Sequence, residues 1–170
     1  MARKPLPLSI TVDTREQIPY TFYREVEAGQ VAVLRAKLAT GDYALSDRPV
    51  VAVVERKSIS DLWGSVGGGR ERFARELVRM RAIRWPAIVI EGTLGAVCRH
   101  NSRAWAADSR RMRPAVVVNT LIAWGQRHGV QVQYCDSRAL AERWTFRFLH
   151  HANRIFEQEH GRACHLALHE

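Results

Sequence analysis

The chain has 170 residues, a mass of 19.4 kDa and 46% hydrophobic side chains, enough for one well-buried core and too little for two. No apolar run approaches the roughly 18 residues that a membrane span requires, and the charged start Met1-Ala2-Arg3-Lys4-Pro5 is not followed by the hydrophobic stretch of a secretion signal. Neither a membrane-spanning nor a secreted protein is therefore expected, and a single domain over residues 1–170 in the cytoplasm is the expectation; Cys98, Cys135 and Cys164, odd in number and without CxxC spacing, fit reduced thiols there.

The charge is more informative. The net value is +9 with a pI near 10.3, and arginine supplies nearly all of it. The planar fork of arginine matches phosphate oxygens, so the excess points to a polyanion, nucleic acid foremost. Much of it lies in one stretch, with Arg70, Arg72, Arg75, Arg79, Arg81, Arg84, Arg99, Arg103, Arg110 and Arg111. A solvated basic face kept for solubility is the plainer alternative.

Leu8-Ser9-Ile10-Thr11-Val12 alternates and ends at Asp13, as a first strand would. Residues 18–30, with Pro19 and Gly29, are too irregular for a long helix. Residues 31–38 predict a second strand, and Ala39-Thr40-Gly41 a turn into Asp42. Residues 42–46 and 50–56 then suit a hairpin whose second arm is apolar enough to be buried on both faces. Ser58, three residues before Asp61, resembles a capping box and opens a short helix that stops at Gly67-Gly68-Gly69.

A longer helix follows from Arg70 to about Arg84, with a stripe of Phe73, Leu77, Met80 and Ile83. Residues 86–90 form another buried strand, closed by Glu91-Gly92. Residues 93–113 predict a short helix and then an exposed loop. Pro114 starts a helix that packs through Val117, Leu121 and Trp124 and ends near Gly129. Residues 130–134 are a last strand, and Ser137 caps a final helix to about residue 158. This order describes an α/β fold, a mixed central sheet flanked by helices.

The chemistry concentrates in Glu55-Arg56-Lys57. On a strand, Glu55 and Lys57 point to one face and Arg56 to the other. Across a hairpin, Asp42 can converge on the same point. An acid pair with a lysine suits metal-assisted phosphodiester hydrolysis, in which a hard cation takes oxygen ligands and the lysine orients the attacking water. A turn aspartate and a strand-end carboxylate paired to arginine is the structural alternative.

The ordered set Val12-Asp13-Thr14-Arg15-Glu16, then Gly41-Asp42-Tyr43, then Val54-Glu55-Arg56-Lys57-Ser58-Ile59-Ser60-Asp61-Leu62 resembles the nuclease domain of the xeroderma pigmentosum group F (XPF) endonucleases. The likeness continues through Gly69-Arg70 and the strand before Glu91, over roughly residues 8–160. It implies a restriction-endonuclease-like core that cuts branched DNA, such as flaps, forks or junctions, with Mg²⁺ or Mn²⁺. It also implies Asp42, Glu55 and Asp13 as metal ligands, Lys57 as the catalytic lysine, and Glu16, Arg56 and Asp61 as members of the catalytic set. Arg70, with Arg72, Arg75 and Arg79 on the same helix, would hold DNA. Many members append paired helix-hairpin-helix motifs, and none is expected within residues 1–170; the short form resembles bacterial or phage-borne relatives, a nucleoid-associated setting in DNA repair or recombination.

Several of these residues have plainer readings. Asp13 could serve a turn with Thr14, Glu16 could fix Lys57 or a water, Asp61 could only cap a helix, and Arg56 could pair with a neighbouring acid. Gly67-Gly68-Gly69-Arg70 could be an inert link or a phosphate-binding helix start. His150, His151, His160, His165 and His169 with Cys164 match no closed zinc pattern. The final helix carries Leu140, Trp144, Phe148 and Ile155 beside Phe146, Leu149 and Phe156, wider than one core-facing stripe needs, which predicts a homodimer through it. The rival functions are a catalytically idle DNA-binding module and a scaffold of a repair or recombination complex. RNA as a substrate stays open, because arginines directed at the backbone do not distinguish sugars.

Overall fold

A computed structural model describes residues 8–100 and 112–167, with side chains to residue 160. Arg103, Arg110, Arg111, Cys164, His165 and His169 lie outside those side chains, as does most of the loop expected before Pro114. The sheet has six strands in the order β2-β1-β3-β4-β5-β6: β1 Leu8–Asp13, β2 Val31–Ala36, β3 Tyr43–Leu45, β4 Ala52–Lys57, β5 Trp85–Glu91 and β6 Gln131–Cys135. β3 is antiparallel to both neighbours, β1 and β4, whereas β1–β2, β4–β5 and β5–β6 are parallel. This is the mixed α/β sheet that the strand and helix order predicts.

The helices are α1 Tyr23–Glu27, α2 Ile59–Val66, α3 Arg70–Met80, α4 Leu94–Arg99, α5 Pro114–His128 and α6 Arg138–Ala167. Alternation along the central strands feeds two cores. Tyr43, Leu45, Val54, Ala87 and Val89 pack with Leu149 and Ala152 of α6. Ala44, Val53, Ile88 and Ile90 pack on the other face with Leu62, Phe73, Leu77, Val97 and Leu121 from α2 to α5. Each inward Val, Leu or Ile removed from water contributes roughly 1.5–3 kcal/mol, so both layers hold the sheet firmly.

The largest differences from the expected boundaries are at β2, α3 and α6, the first two for a backbone reason. β2 ends at Ala36 because the Leu38 N–H donates to Asp13 Oδ2 at 2.7 Å and not to the sheet. α3 ends at Met80, since the amides of Arg84 and Trp85 bond to the carbonyls of Val50 and Val51 at 3.1 and 3.0 Å and start β5. α6 runs on to Ala167. α2 begins where the capping pattern places it, with the Asp61 N–H donating to Ser58 Oγ at 3.1 Å.

On α6, the stripe that enters the core is Ala141, Leu149 and Ala152, joined by Thr145. Trp144 and Phe148 stack at 4.8 Å beside it. With Trp85, Gln131, His151 and Ile155 they line a groove of about 380 Å³ along the β6 edge of the sheet. No helix among the described residues is long and apolar enough to cross a membrane, and none of their His, Cys, Asp and Glu side chains group in threes or more, as a closed zinc centre would need. The zinc reading is thus unsupported among them.

Candidate active site

The end of β4 divides its side chains between the two cores. Lys57 points toward α3, its Nζ 4.4 Å from the centre of the Phe73 ring. Arg56 points toward α6 and the Tyr20 ring, 6.0 Å away. Glu55 shares the Lys57 face and accepts from Nζ through Oε1 at 2.6 Å. Tyr43 pairs with Val54 across the β3–β4 ladder, so Asp42, one residue before β3, lies opposite Glu55 on that same face. The Asp42 amide donates to the Val54 carbonyl at 2.9 Å, and the Arg56 amide donates to Asp42 Oδ2 at 2.8 Å.

Gly41 makes this turn possible. Its φ is +71°, and a Cβ there would lie 2.3 Å from Val53 Cγ2 and 3.2 Å from the Val54 carbonyl oxygen, so only glycine fits. Its amide and the Thr40 hydroxyl both donate to Glu76 Oε1 of α3, at 2.9 and 2.5 Å. Burial would raise the Glu76 pKa, but those two donors and Arg79 outweigh it and hold the group below the ordinary glutamate value.

Asp42 and Glu55 are differently placed. Burial, and then the neighbouring negative charge of Glu55, push the Asp42 carboxyl up to about 8. Glu55, only 8% exposed, is also raised by burial, against the pull of Lys57. Two acids therefore share one lysine in a poorly solvated site, and Asp42 Oδ1 and Glu55 Oε2 accept no hydrogen bond from the described residues. A divalent cation would relieve that charge. Mg²⁺ commonly takes one or two carboxylates and completes its shell with water and phosphate oxygens, which fits this donor set.

Asp13, the third acid of the expected set, is placed differently from Asp42 and Glu55. Asp13 is 1% exposed and its carboxylate is fully engaged. Oδ1 accepts from the Arg15 amide and Nε at 2.7 and 2.8 Å, and Oδ2 from Arg15 Nη2 and the Leu38 amide at 2.9 and 2.7 Å, which uses every acceptor site the group has. Burial would raise its pKa; the donors from Arg15 and Leu38 reverse this and hold it at about 2. Asp13 also bonds through its amide to the Asp42 carbonyl at 2.8 Å, so it braces the strand that delivers Asp42.

Arg56 lies on the opposite face, in an ion-pair network. Its Nε and Nη2 reach Glu91 Oε1 and Oε2 at 2.8 and 2.9 Å, and Nη1 is 3.3 Å from Glu16 Oε1. Arg138, at the start of α6, donates to Glu91 Oε1 at 2.9 Å and to the carbonyls of Ile18 and Pro19 at 2.6 and 3.0 Å. Of the two readings of Arg56, the geometry gives the ion pair, with its side chain 10% exposed. Glu16 meets Arg56 and the Ile18 amide, not Lys57.

Asp61 is exposed and accepts from the Ser58 hydroxyl at 2.6 Å, so its observed contacts are those of a helix cap. Arg70 donates to Thr120 Oγ1 at 3.3 Å and lies over the Trp124 ring at 5.9 Å. Arg79 pairs with Glu76. Arg72 and Arg75 are exposed on the outer side of α3. The contacts of Phe73 with Lys57, Glu76 with Gly41, Glu91 with Arg56 and Arg138 with Glu91 escape sequence reading, because these partners lie 16 or more positions apart; the one local signal is Glu91 at the end of a buried strand.

A family model for the ERCC4 domain matches residues 12–148. The chain belongs to the ERCC4 domain family, the XPF nuclease family. XPF from Aeropyrum pernix has the same fold, with a TM-score of 0.65 at 19% identity over 94% of this chain and 72% of that one. XPF from Aeropyrum pernix in complex with DNA matches with a TM-score of 0.59 at 21% identity, over 89% of this chain and 66% of that one. A search of curated proteins returned no match. In this ERCC4 domain, the β3–β4 pair brings together Asp42 of the GD positions with Glu55 and Lys57 of the ERK positions, and turns Arg56 to the other face.

Proposed function

We propose that the chain is a divalent-metal-dependent endonuclease that hydrolyses phosphodiester bonds in branched DNA. The observation that carries this reading is the facing pair Asp42 and Glu55, each with one carboxylate oxygen unused, beside Lys57 in a poorly solvated pocket. Asp42 and Glu55 would hold Mg²⁺ or Mn²⁺. When bound, such an ion lowers the pKa of water and stabilises negative charge on phosphate oxygens. Lys57, steered by Glu55 and by the Phe73 ring, orients the attacking water and offsets charge on the phosphate. Asp13 and Arg15 brace the β1 side of the site, and Arg56 holds Asp42 through its amide.

The charge of +9 supports a DNA substrate, as does the complex formed by the Aeropyrum pernix relative. Arg72 and Arg75 would grip the backbone without reading bases. The Trp144–Phe148 groove beside β6 supports a homodimer through α6; light scattering that returned only monomer at micromolar concentration would count against it.

The test is cleavage of labelled flap, fork, four-way junction and linear DNA, and of their RNA counterparts, with Mg²⁺ and with EDTA. Branched DNA cut only with metal, and lost in Asp42→Ala and Lys57→Ala while binding persists, is the expected result. Binding without cleavage of any substrate would favour an idle DNA-binding module. A partner protein retained at high salt without DNA would favour a scaffold.

A further inference from the structure

Helix α3 touches the site at two points one turn apart. Phe73 lies under Lys57, its ring centre 4.4 Å from Nζ. Glu76, at i+3 on the same face, reaches the other arm, where Oε1 accepts from the Gly41 amide at 2.9 Å and from Thr40 Oγ1 at 2.5 Å. The Gly41 amide precedes Asp42 directly, and no main-chain acceptor among the described residues serves it. Without Glu76 the turn would present an unpaired donor in a crowded pocket, on a residue whose own φ of +71° already restricts the shape of the turn.

We infer that Glu76 is a positioning residue: its carboxylate fixes the Gly41–Asp42 turn and so sets where the Asp42 oxygens point. This presupposes the metal site proposed above. The clamp also joins the site to the arginine-bearing helix, because Oε2 of the same carboxylate pairs with Arg79. Glu76 needs no direct contact with the ion. Residues that orient a metal ligand typically change metal affinity or activity by about 10 to 100-fold when removed.

The experiment is Mn²⁺ titration of the full chain without DNA, followed by the loss of the free-ion electron paramagnetic resonance signal, alongside hydrogen exchange of the Gly41 amide. Glu76→Ala should weaken Mn²⁺ binding by about 10 to 100-fold and speed Gly41 exchange. Glu76→Gln keeps a carbonyl acceptor for both donors and should recover most of the affinity. Wild-type affinity in Glu76→Ala overturns the inference, as does a Glu76→Gln that binds as weakly as the alanine variant, since charge and not the hydrogen bonds would then be responsible. If Glu76→Ala does not fold, Thr40→Val removes one of the two donors and should give an intermediate loss; an unchanged affinity there overturns it. If the wild type binds Mn²⁺ no better than Asp42→Ala, the metal reading fails separately. Gly41 exchange then decides alone: accelerated in the Glu76 variant it upholds the clamp, unchanged it overturns it.

Discussion

The main-chain amide of Arg56 donates to Oδ2 of Asp42 at 2.8 Å, while the guanidinium of the same residue is clasped by both oxygens of Glu91 on the far side of the sheet. One residue thus holds a proposed metal ligand with its backbone and the scaffold with its side chain. The network should matter for folding before it matters for chemistry.

Breaking a buried ion pair by removing one partner costs about 3–5 kcal/mol. Glu91→Ala, which leaves the 10%-exposed Arg56 with only Glu16, should lose about 3 kcal/mol in urea denaturation. Arg138→Ala should cost less, roughly 1 kcal/mol, because the Arg138 side chain is 37% exposed and water screens it.

Two glycines with positive φ allow the crowding at the GD turn to be separated from backbone strain. Gly129→Ala, at φ +66° with open space around the new Cβ, should cost about 1 kcal/mol, the left-handed penalty alone. Gly41→Ala adds the 2.3 Å encounter with Val53 and should cost a further 1–3 kcal/mol or so. Equal losses in the two variants would mean that the turn relaxes freely.

The two aspartates titrate in opposite senses. Asp42 rises from 3.8 to about 8 in the folded, metal-free chain; the folded state then binds more protons than the unfolded one between those limits, so stability falls as pH rises through that window. In EDTA, the wild-type melting temperature should drop from pH 5 to pH 8 more than that of Asp42→Asn, and Mn²⁺ should restore it at pH 8. Asp13, lowered to about 2, contributes stability that is present above pH 3.8 and lost as pH falls toward 2. Asp13→Asn should remove about 1 to 2 kcal/mol of it at pH 7, a figure reduced because its partner Arg15 is largely exposed.

DNA affinity should fall steeply with salt, and each arginine that meets a phosphate should contribute about one unit to the slope of log affinity against log salt. Arg72→Ala and Arg75→Ala should each flatten that slope. Arg70→Ala should instead lower stability, since its observed partners are Thr120 and Trp124. An unchanged slope in the Arg72 and Arg75 variants would place the DNA on another face.

The central acids and the lysine were readable because a strand alternates with a period of two, and a dipeptide that needs glycine marks its own turn. Asp42, Glu55 and Lys57 follow from those rules alone. Asp13 was harder, since its distance to Asp42 is not readable from strand alternation, and nothing local says that Arg15, two positions on, will take its oxygens. Glu76 was out of reach: the rotation of α3 about its axis is fixed by Leu77 and Met80 entering the core, and its target lies 35 residues upstream. The groove on α6 was anticipated as a wide aromatic face, yet the core stripe proved to be the smaller side chains Ala141 and Ala152 with Leu149.

Strand β4 keeps its reactive side chains and its tethering side chain on opposite faces, and this bears on how such a chain would decay under relaxed selection. Glu55 and Lys57 pair with each other, so the two can be lost together without stranding a buried charge, whereas losing Arg56 leaves Glu91 and Glu16 short of a buried partner. A descendant that had abandoned chemistry would therefore be expected to lose the outer letters of the triplet first and to keep the middle one, a silent chain still recognisable by its arginine.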